Sequence, residues 1–549
     1  MSHTIRAGLL ALATGITVSV GLLGTSPAGA DTSSLLSQPT ATAKKKQAEK
    51  PPPKPLIPSK KASSVPMPAP TTSPTLIKPV QIPDSFIVLP PTYEWRIEDR
   101  VLYLTSTVED AQLLLRTTPA GDTLVRESAL RRDQVFPGVD KVVYRGGRGD
   151  DVLNASSLSI PLDAFGGWGR DELTGGHSHD RLNGEQGHDH LSGHEGDDTL
   201  IGGIGTDELS GGEGDDWLVA IDNNTADIAY TGGLNQHDSV WVDKQVGGPA
   251  TDTVRWARAG TTVHEVESFV AGDKTLDGDD IWDPQLANGV GAAPAYVSHG
   301  DEPLWPSDMR PSGQDVVQGA LGDCKVVAGI SAVAHSNPGG SGLAIRRAMT
   351  DFGDGTFGVA LGDDYYRVDG DLVEDGGSLL YAGTGRDGAL WAAIAEKAIA
   401  WHDSRANRFR GTYEQLKRTG SLEVFTAFGS SEVGNPFTNR YARSAADLGT
   451  KLFRQWNAYE PMTLSLMGSL NSVGGSHAYT VWNVVANPAN PAQTRVVLRN
   501  PWGRDGNANP GIPGNADANP NDALVTYTAQ QIWNDNRNIS RVNWGRATS

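Results

Sequence analysis

Three side chains far apart in the chain have the types a nucleophilic site needs: a thiol, an imidazole and a primary amide. Cys324 is the single cysteine among 549 residues, so it forms no internal disulfide and its chemistry is that of a free thiol. It closes the run Gln318-Gly319-Ala320-Leu321-Gly322-Asp323-Cys324. Gly322 and Asp323 have the composition of a turn and a helix cap, and Val326 to His335 that of a buried helix. Cys324 is therefore expected in a first helical turn, where the helix dipole and unpaired N–H groups favour a thiolate and draw a pKa of ~8.5 toward neutrality. A nucleophile needs a base, and the base needs a group to orient it. His477 to Val485 reads as one strand, Asn487-Pro488-Ala489-Asn490-Pro491 as a turn, and Arg495 to Asn500 as a second strand stopped by Pro501. The midpoint of 477 and 500 falls inside that turn, so the hairpin sets His477 and Asn500 opposite or nearly opposite each other. An amide oxygen on one ring nitrogen leaves the other free for the thiol.

A second chemistry is written in aspartates. From Gly166 to Val219 the sequence divides without remainder into six nonapeptides: GGWGRDELT, GGHSHDRLN, GEQGHDHLS, GHEGDDTLI, GGIGTDELS and GGEGDDWLV. A seventh, GGRGDDVLN, starts at Gly146, with an irregular turn carrying a two-residue insertion between. The sixth position is always aspartate (Asp151, Asp171, Asp180, Asp189, Asp198, Asp207, Asp216) and the eighth always leucine. Glycine admits the φ > 0 angles of a tight turn, leucine points into a shared apolar core, and the carboxylates beside turn carbonyls are the hard oxygen donors that suit Ca²⁺. Two nonapeptides per coil leave room for roughly four ions between stacked turns. The stretch 146–222 holds 17 Asp and Glu against three Arg, a column that should repel itself without cations. His177, His179, His188, His190 and His194 crowd the same turns. Their positions are those the repeat leaves variable, so they read as tolerated surface residues, with zinc binding as the alternative.

The elements that must position these groups resemble known families. QGALGDC at 318–324, His477-Ala478-Tyr479 and Arg499-Asn500-Pro501-Trp502-Gly503 resemble the QGxLGDC, HAY and RNPWG motifs of the calpain-like cysteine proteases, which share the papain-like fold. Leu390 to Ala398, with Glu396-Lys397-Ala398, and Gly411-Thr412-Tyr413 are similar to the family's EKA helix and the segment after it. The resemblance implies Cys324 as nucleophile, His477 as base and later acid, Asn500 as its orienting partner under Trp502, and Gln318 as an oxyanion donor with the Cys324 N–H. It departs at Lys325, where the family has tryptophan, and at Ser476, where it has glycine. The nonapeptides resemble the calcium-binding repeats-in-toxin β-roll, departing at Ser178, Glu185 and His194.

Charge and composition frame both. With 46 Lys and Arg against 65 Asp and Glu the net charge is −19, which argues against nucleic acid as a partner. Only Ala7 to Gly24 approaches a spanning length; following Arg6 and preceding Ala28-Gly29-Ala30, it reads as a signal peptide over 1–30, with no anchor left after cleavage. The stretch 31–82 is proline- and lysine-rich and reads as a disordered spacer with a basic charge that suits an anionic cell wall. Short β-branched runs in 83–145 and 223–290 are expected to extend and cap the roll, with Asp277-Gly278-Asp279-Asp280 as a solvated linker, and 291–549 to form the protease domain. The expected fold is thus multidomain: an all-β parallel β-roll followed by an α+β, papain-like (calpain-like) cysteine protease domain. The expected function is a secreted, Ca²⁺-dependent cysteine endopeptidase acting on protein or peptide substrates. Two readings compete: a calcium-binding surface or adhesion protein with an inactive protease fold, kept open by Lys325, and a transglutaminase-like acyl transferase, disfavoured because Asn500 stands where that class needs aspartate.

Overall fold

A computed structural model describes residues 92–546 except 129, 223–224, 234–235, 246, 270–282, 290, 337–341, 403–410, 468–476, 504–522 and 536–539. The expected signal peptide, the proline-rich spacer, Ser476 and the acidic run 277–280 lie outside the described residues.

A β-solenoid leads the described chain. Each coil contributes one strand to each of two facing sheets, and all neighbours along the repeats pair in parallel. The leucines of the nonapeptides fall in register from coil to coil, at an offset of eighteen residues within the regular run and twenty between Leu153 and Leu173: Leu182, Leu200 and Leu218 stack on one sheet, Leu153, Leu173, Leu191 and Leu209 on the other. All seven are fully buried, each contributing ~1.5–3 kcal/mol. The turns demand glycine by proximity: a Cβ on Gly187 would sit 1.6 Å from the Gly169 carbonyl oxygen.

The coil runs past both ends of the regular nonapeptides. Val101–Ser106 and Gln112–Thr117 pair in parallel with Lys141–Arg148 and Val152–Ser157, and antiparallel strands Tyr93–Glu98, Thr123–Glu127 and Arg132–Phe136 close the first end. At the other end Ile228–Tyr230, Ser239–Asp243, Thr253–Arg255 and Thr262–Val266 continue both sheets, with Ala229 and Val240 in the leucine columns. The loops between these last strands vary in length, which is why no nine-residue period marks them.

The region that follows is mixed α/β. Helix α1 (Cys324–His335), α2 (Leu343–Ala348), α3 (Trp391–Trp401) and α4 (Ser421–Ala427) share one apolar core with the strands Met349–Asp351, Thr356–Leu361 and Asp364–Asp369. A six-stranded sheet with its own core holds, in order, Glu432–Gly434, Arg541–Arg546, Met462–Leu466, His477–Val485, Arg495–Arg499 and Leu524–Thr528. Helix α1 is tied to both lobes: Thr480 Oγ1 donates to the Ala328 carbonyl at 2.9 Å and Ser421 Oγ to that of Lys325 at 2.8 Å.

The solenoid is not a separate bead. Trp217, at a variable position of the last nonapeptide, is buried in the same core as α1 and α2, and its Nε1 donates to the Arg346 carbonyl at 2.9 Å. Trp241 packs edge-on to Phe352, and Arg181 Nε bonds Asp351 at 3.1 Å.

Candidate functional site

Cys324 opens α1, half-buried, with Asp323 as the N-cap residue. The helix starts because the Asp323 carbonyl accepts from the Val326 N–H at 2.7 Å; its carboxylate caps nothing. The environment departs from the expectation of a lowered thiol pKa. Burial pushes the Cys324 thiol up, and the favourable effects of the Ala478 N–H and of Lys325 are smaller. Desolvation outweighs the dipole because α1 begins inside the molecule rather than at its surface.

His477 and Asn500 meet across the hairpin. His477 Nε2 lies 3.1 Å from Asn500 Oδ1, which makes Nε2 the protonated nitrogen and leaves Nδ1 as acceptor. The same Oδ1 accepts from the Trp502 N–H at 3.1 Å, and the indole of Trp502 stands 5.1 Å from the imidazole. The two residues are not directly opposite. Thr480 faces Arg499 and Val481 faces Leu498, and a bulge at Trp482 separates this register from that nearer the turn. His477 and Asn500 are therefore diagonal, still within reach. Burial of His477 pushes its pKa down, Asn500 opposing more weakly. Thiol and imidazole are thus both favoured in their neutral forms.

Gln318 is held in the same place from behind. Its N–H donates to the Pro501 carbonyl at 2.8 Å, and the buried guanidinium of Arg499 donates to the carbonyls of Val316 (2.8 Å) and Gln314 (2.9 Å). These bonds lock the segment before Cys324 to the one carrying Asn500. The Gln318 side chain, the expected oxyanion donor, has its Nε2 donating to the Leu321 carbonyl at 2.6 Å.

One buried pair escaped the sequence reading. Asp323 and Glu396 are 2% and 0% exposed and face each other beneath the Cys324 turn. Glu396 Oε2 accepts from the Ala382 N–H at 2.6 Å, while its Oε1 and both Asp323 oxygens have no well-aligned fixed donor. Burial raises both pKa values, and the Asp323 charge raises Glu396 further. A proton held by Glu396 and shared with Asp323 satisfies the pair. The neighbouring Lys397 takes the opposite charge, meeting Asp283, Asp369 and the Asp371 carbonyl.

The roll's aspartates form two ladders. On one edge Asp180, Asp198, Asp216 and Asp238 follow one another, and on the other Asp151, Asp171, Asp189, Asp207, Asp227 and Asp252; each Oδ1 accepts the backbone N–H one coil back. Asp227, Asp238 and Asp252 were invisible to the nine-residue period. The second oxygen, Oδ2, is buried without a partner in Asp151, Asp171, Asp189, Asp198, Asp207, Asp216 and Asp227, a donor set that fits a hard cation. Asp180 differs: its Oδ2 accepts from the Gly176 N–H at 2.5 Å, in the turn where Ser178 replaces glycine. Two histidines read as tolerated surface are ladder members as well. His179 Nδ1 accepts from the Asp197 N–H at 2.8 Å and His188 Nδ1 from the Thr206 N–H at 2.9 Å.

Residues 302–509 match the family model of the calpain family cysteine proteases, and residues 165–200 and 183–218 match that of the RTX calcium-binding nonapeptide repeat. No curated protein matches the chain.

Proposed function

We propose that this chain, a calpain-family cysteine protease domain preceded by RTX calcium-binding nonapeptide repeats, is a secreted, calcium-dependent cysteine endopeptidase. The observation that carries the reading is the 3.1 Å bond from His477 to Asn500 under Trp502, with Cys324 at the head of α1 beside the Ala478 N–H. In the first step the Cys324 thiol attacks the scissile carbonyl as His477 Nδ1 takes its proton, so a neutral pair becomes charged only as the bond forms. Asn500 keeps the ring oriented and stabilises the imidazolium. The backbone N–H of Cys324 receives the oxyanion, and Gln318 joins it by turning its amide from Leu321; without that donor turnover should fall about 10²–10³-fold. His477 returns the proton to the leaving amine, and water then hydrolyses the thioester with His477 again as base.

The orphan Oδ2 atoms of Asp151, Asp171, Asp189, Asp198, Asp207, Asp216 and Asp227 would hold Ca²⁺, with Asp180 a weaker participant. Bound calcium supplies the positive charge these buried carboxylates lack. The roll shares a core with α1 and α2, so its folding supports the turn that presents Cys324.

A second reading, a calcium-binding surface protein whose protease fold is inactive, is favoured by the engaged Gln318 amide and by Lys325. Casein hydrolysis by the chain and by Cys324→Ala, each in millimolar Ca²⁺ and in chelator, separates the two. Cleavage that needs both Cys324 and calcium supports the protease; no cleavage, with circular dichroism still responding to calcium, supports the binding protein.

A further inference from the structure

We propose that His177, His194 and Glu195 form a binding site for a zinc-class divalent transition-metal ion on the edge of the roll, distinct from its calcium ladders. His177 occupies the third position of the nonapeptide 175–183, and His194 and Glu195 the second and third positions of the nonapeptide 193–201, one coil later. The backbone fixes their relation: the Glu195 N–H donates to the Gly176 carbonyl at 3.0 Å and the Gly175 N–H to that of Ser192 at 2.8 Å. Coil stacking therefore brings two imidazoles and a carboxylate together without any long-range adjustment.

Their ligand atoms converge. One donor atom from each of the three lies within 4.8 Å of the others. His177 Nδ1 is 3.0 Å from Glu195 Oε2, and the two imidazole rings stand 5.7 Å apart at 87°. Ligands about 2.0–2.1 Å from a tetrahedral ion are roughly 3.3 Å from one another, so rotamer adjustment alone closes the set. Three protein ligands leave a fourth position to water.

The turn of the repeat also sets how the His194 side chain leaves the coil. His194 is held at φ +83°, a left-handed conformation that side-chain-bearing residues avoid. Its partner one coil on, Gly212, occupies the same region at φ +114°. Glycine is the relaxed choice at this position, and Glu185, at the same place in the nonapeptide 184–192, shares the left-handed angle at φ +69°, so the turn of the repeat sets this conformation.

The donor chemistry separates this site from the ladders. Calcium takes six to eight oxygen donors, whereas a set of two imidazole nitrogens and one carboxylate suits a borderline ion such as Zn²⁺. The site is also local among the histidines of the roll. His179 and His188 each accept a backbone N–H at Nδ1, and His190, 3.6 Å from Glu208, belongs to no converging group of three ligands among the described residues.

The test is a Zn²⁺ titration against a chromophoric competitor, using the full-length chain saturated with Ca²⁺ and carrying Cys324→Ala so that the thiol cannot ligate. One equivalent should bind through this site, and His177→Ala should weaken it at least about tenfold, since outer-shell losses already cost 10–100-fold. His194→Gly should do the same while restoring the residue the turn prefers, so the calcium-dependent circular dichroism stays intact or strengthens. His190→Ala should leave zinc affinity unchanged. Zinc affinity unaltered by His177→Ala and His194→Gly, with both variants folded, would overturn the site.

Discussion

Arg346, on α2 of the protease region, forms an ion pair with Asp197 of the roll at 3.0 Å, and its guanidinium also reaches Asp215, eighteen residues and one coil further on. The same guanidinium lies over the Trp217 ring. One side chain, 5% exposed, thus reads two successive coils at once. It can do so only while they are stacked, and α2 packs on α1.

Removing calcium should therefore loosen α2 as well as the roll. Hydrogen exchange is expected to show residues 343–361 protected in Ca²⁺ and markedly less so in chelator. Arg346→Ala removes the buried cation shared by two part-buried carboxylates and should cost about 1.5–3 kcal/mol, with exchange in α2 raised even in calcium. Equal protection of α2 with and without calcium in the wild type would mean that roll and protease fold independently.

Glu396 should matter through the proton it holds. Both pKa values of the Asp323–Glu396 pair are raised, so its contribution is fully present below the unfolded values near 4 and is lost as pH rises through the folded ones. Glu396→Gln carries a permanent donor in nearly the same volume. Its melting temperature should fall less than that of the wild type as pH is raised from about 4, and Glu396→Ala should destabilise at every pH. A wild type and Glu396→Gln that lose stability in parallel as pH rises would remove the shared proton.

What the sequence could carry was local. The nine-residue spacing fixed the leucine columns and seven aspartates, because in a solenoid contacts follow a constant offset in the chain. The hairpin midpoint brought His477 near Asn500 for the same reason, missing the register set at the turn, which offsets the pair along the strands, and the bulge at Trp482, which reduces that offset by one residue. Asp227, Asp238 and Asp252 hold ladder positions after loops of irregular length, so no period finds them. The Asp323–Glu396 pair and the Arg346 seam join residues 73 and more than 130 positions apart, with no pattern that links them. The thiol was misjudged from its helix position alone, because desolvation depends on what else packs around the first turn.

That raised thiol has a kinetic signature. Burial holds Cys324 protonated and His477 neutral, so alkylation by iodoacetamide in the absence of substrate should be slow at pH 5 and climb steadily above pH 8. The acid limb of kcat/KM should fall below the ordinary histidine value of about 6.5, since the base must be neutral to accept the proton. Alkylation already at its plateau near pH 5 would reveal a preformed thiolate–imidazolium pair and refute the neutral resting state.

Calcium and protons should compete for the roll. Burial pushes Asp171 and Asp207 up to about 6, Asp151, Asp238 and Asp252 to about 7, Asp189 to about 8 and Asp227 to about 9. The folded, calcium-free roll binds more protons than the unfolded chain between pH 4 and 9, so its stability falls as pH rises through that window. In chelator, β-structure measured by circular dichroism is expected to persist near pH 5 and to melt progressively toward pH 9. In millimolar calcium the trend should flatten or reverse, because the ion replaces the protons and binds more tightly as they leave. Calorimetric titration in two buffers of different ionisation enthalpy should then show protons released per calcium bound at pH 6, and fewer at pH 9. A calcium-free chain equally folded at both pH values, with no proton release, would show that the buried Oδ2 atoms are neither protonated nor filled by the ion.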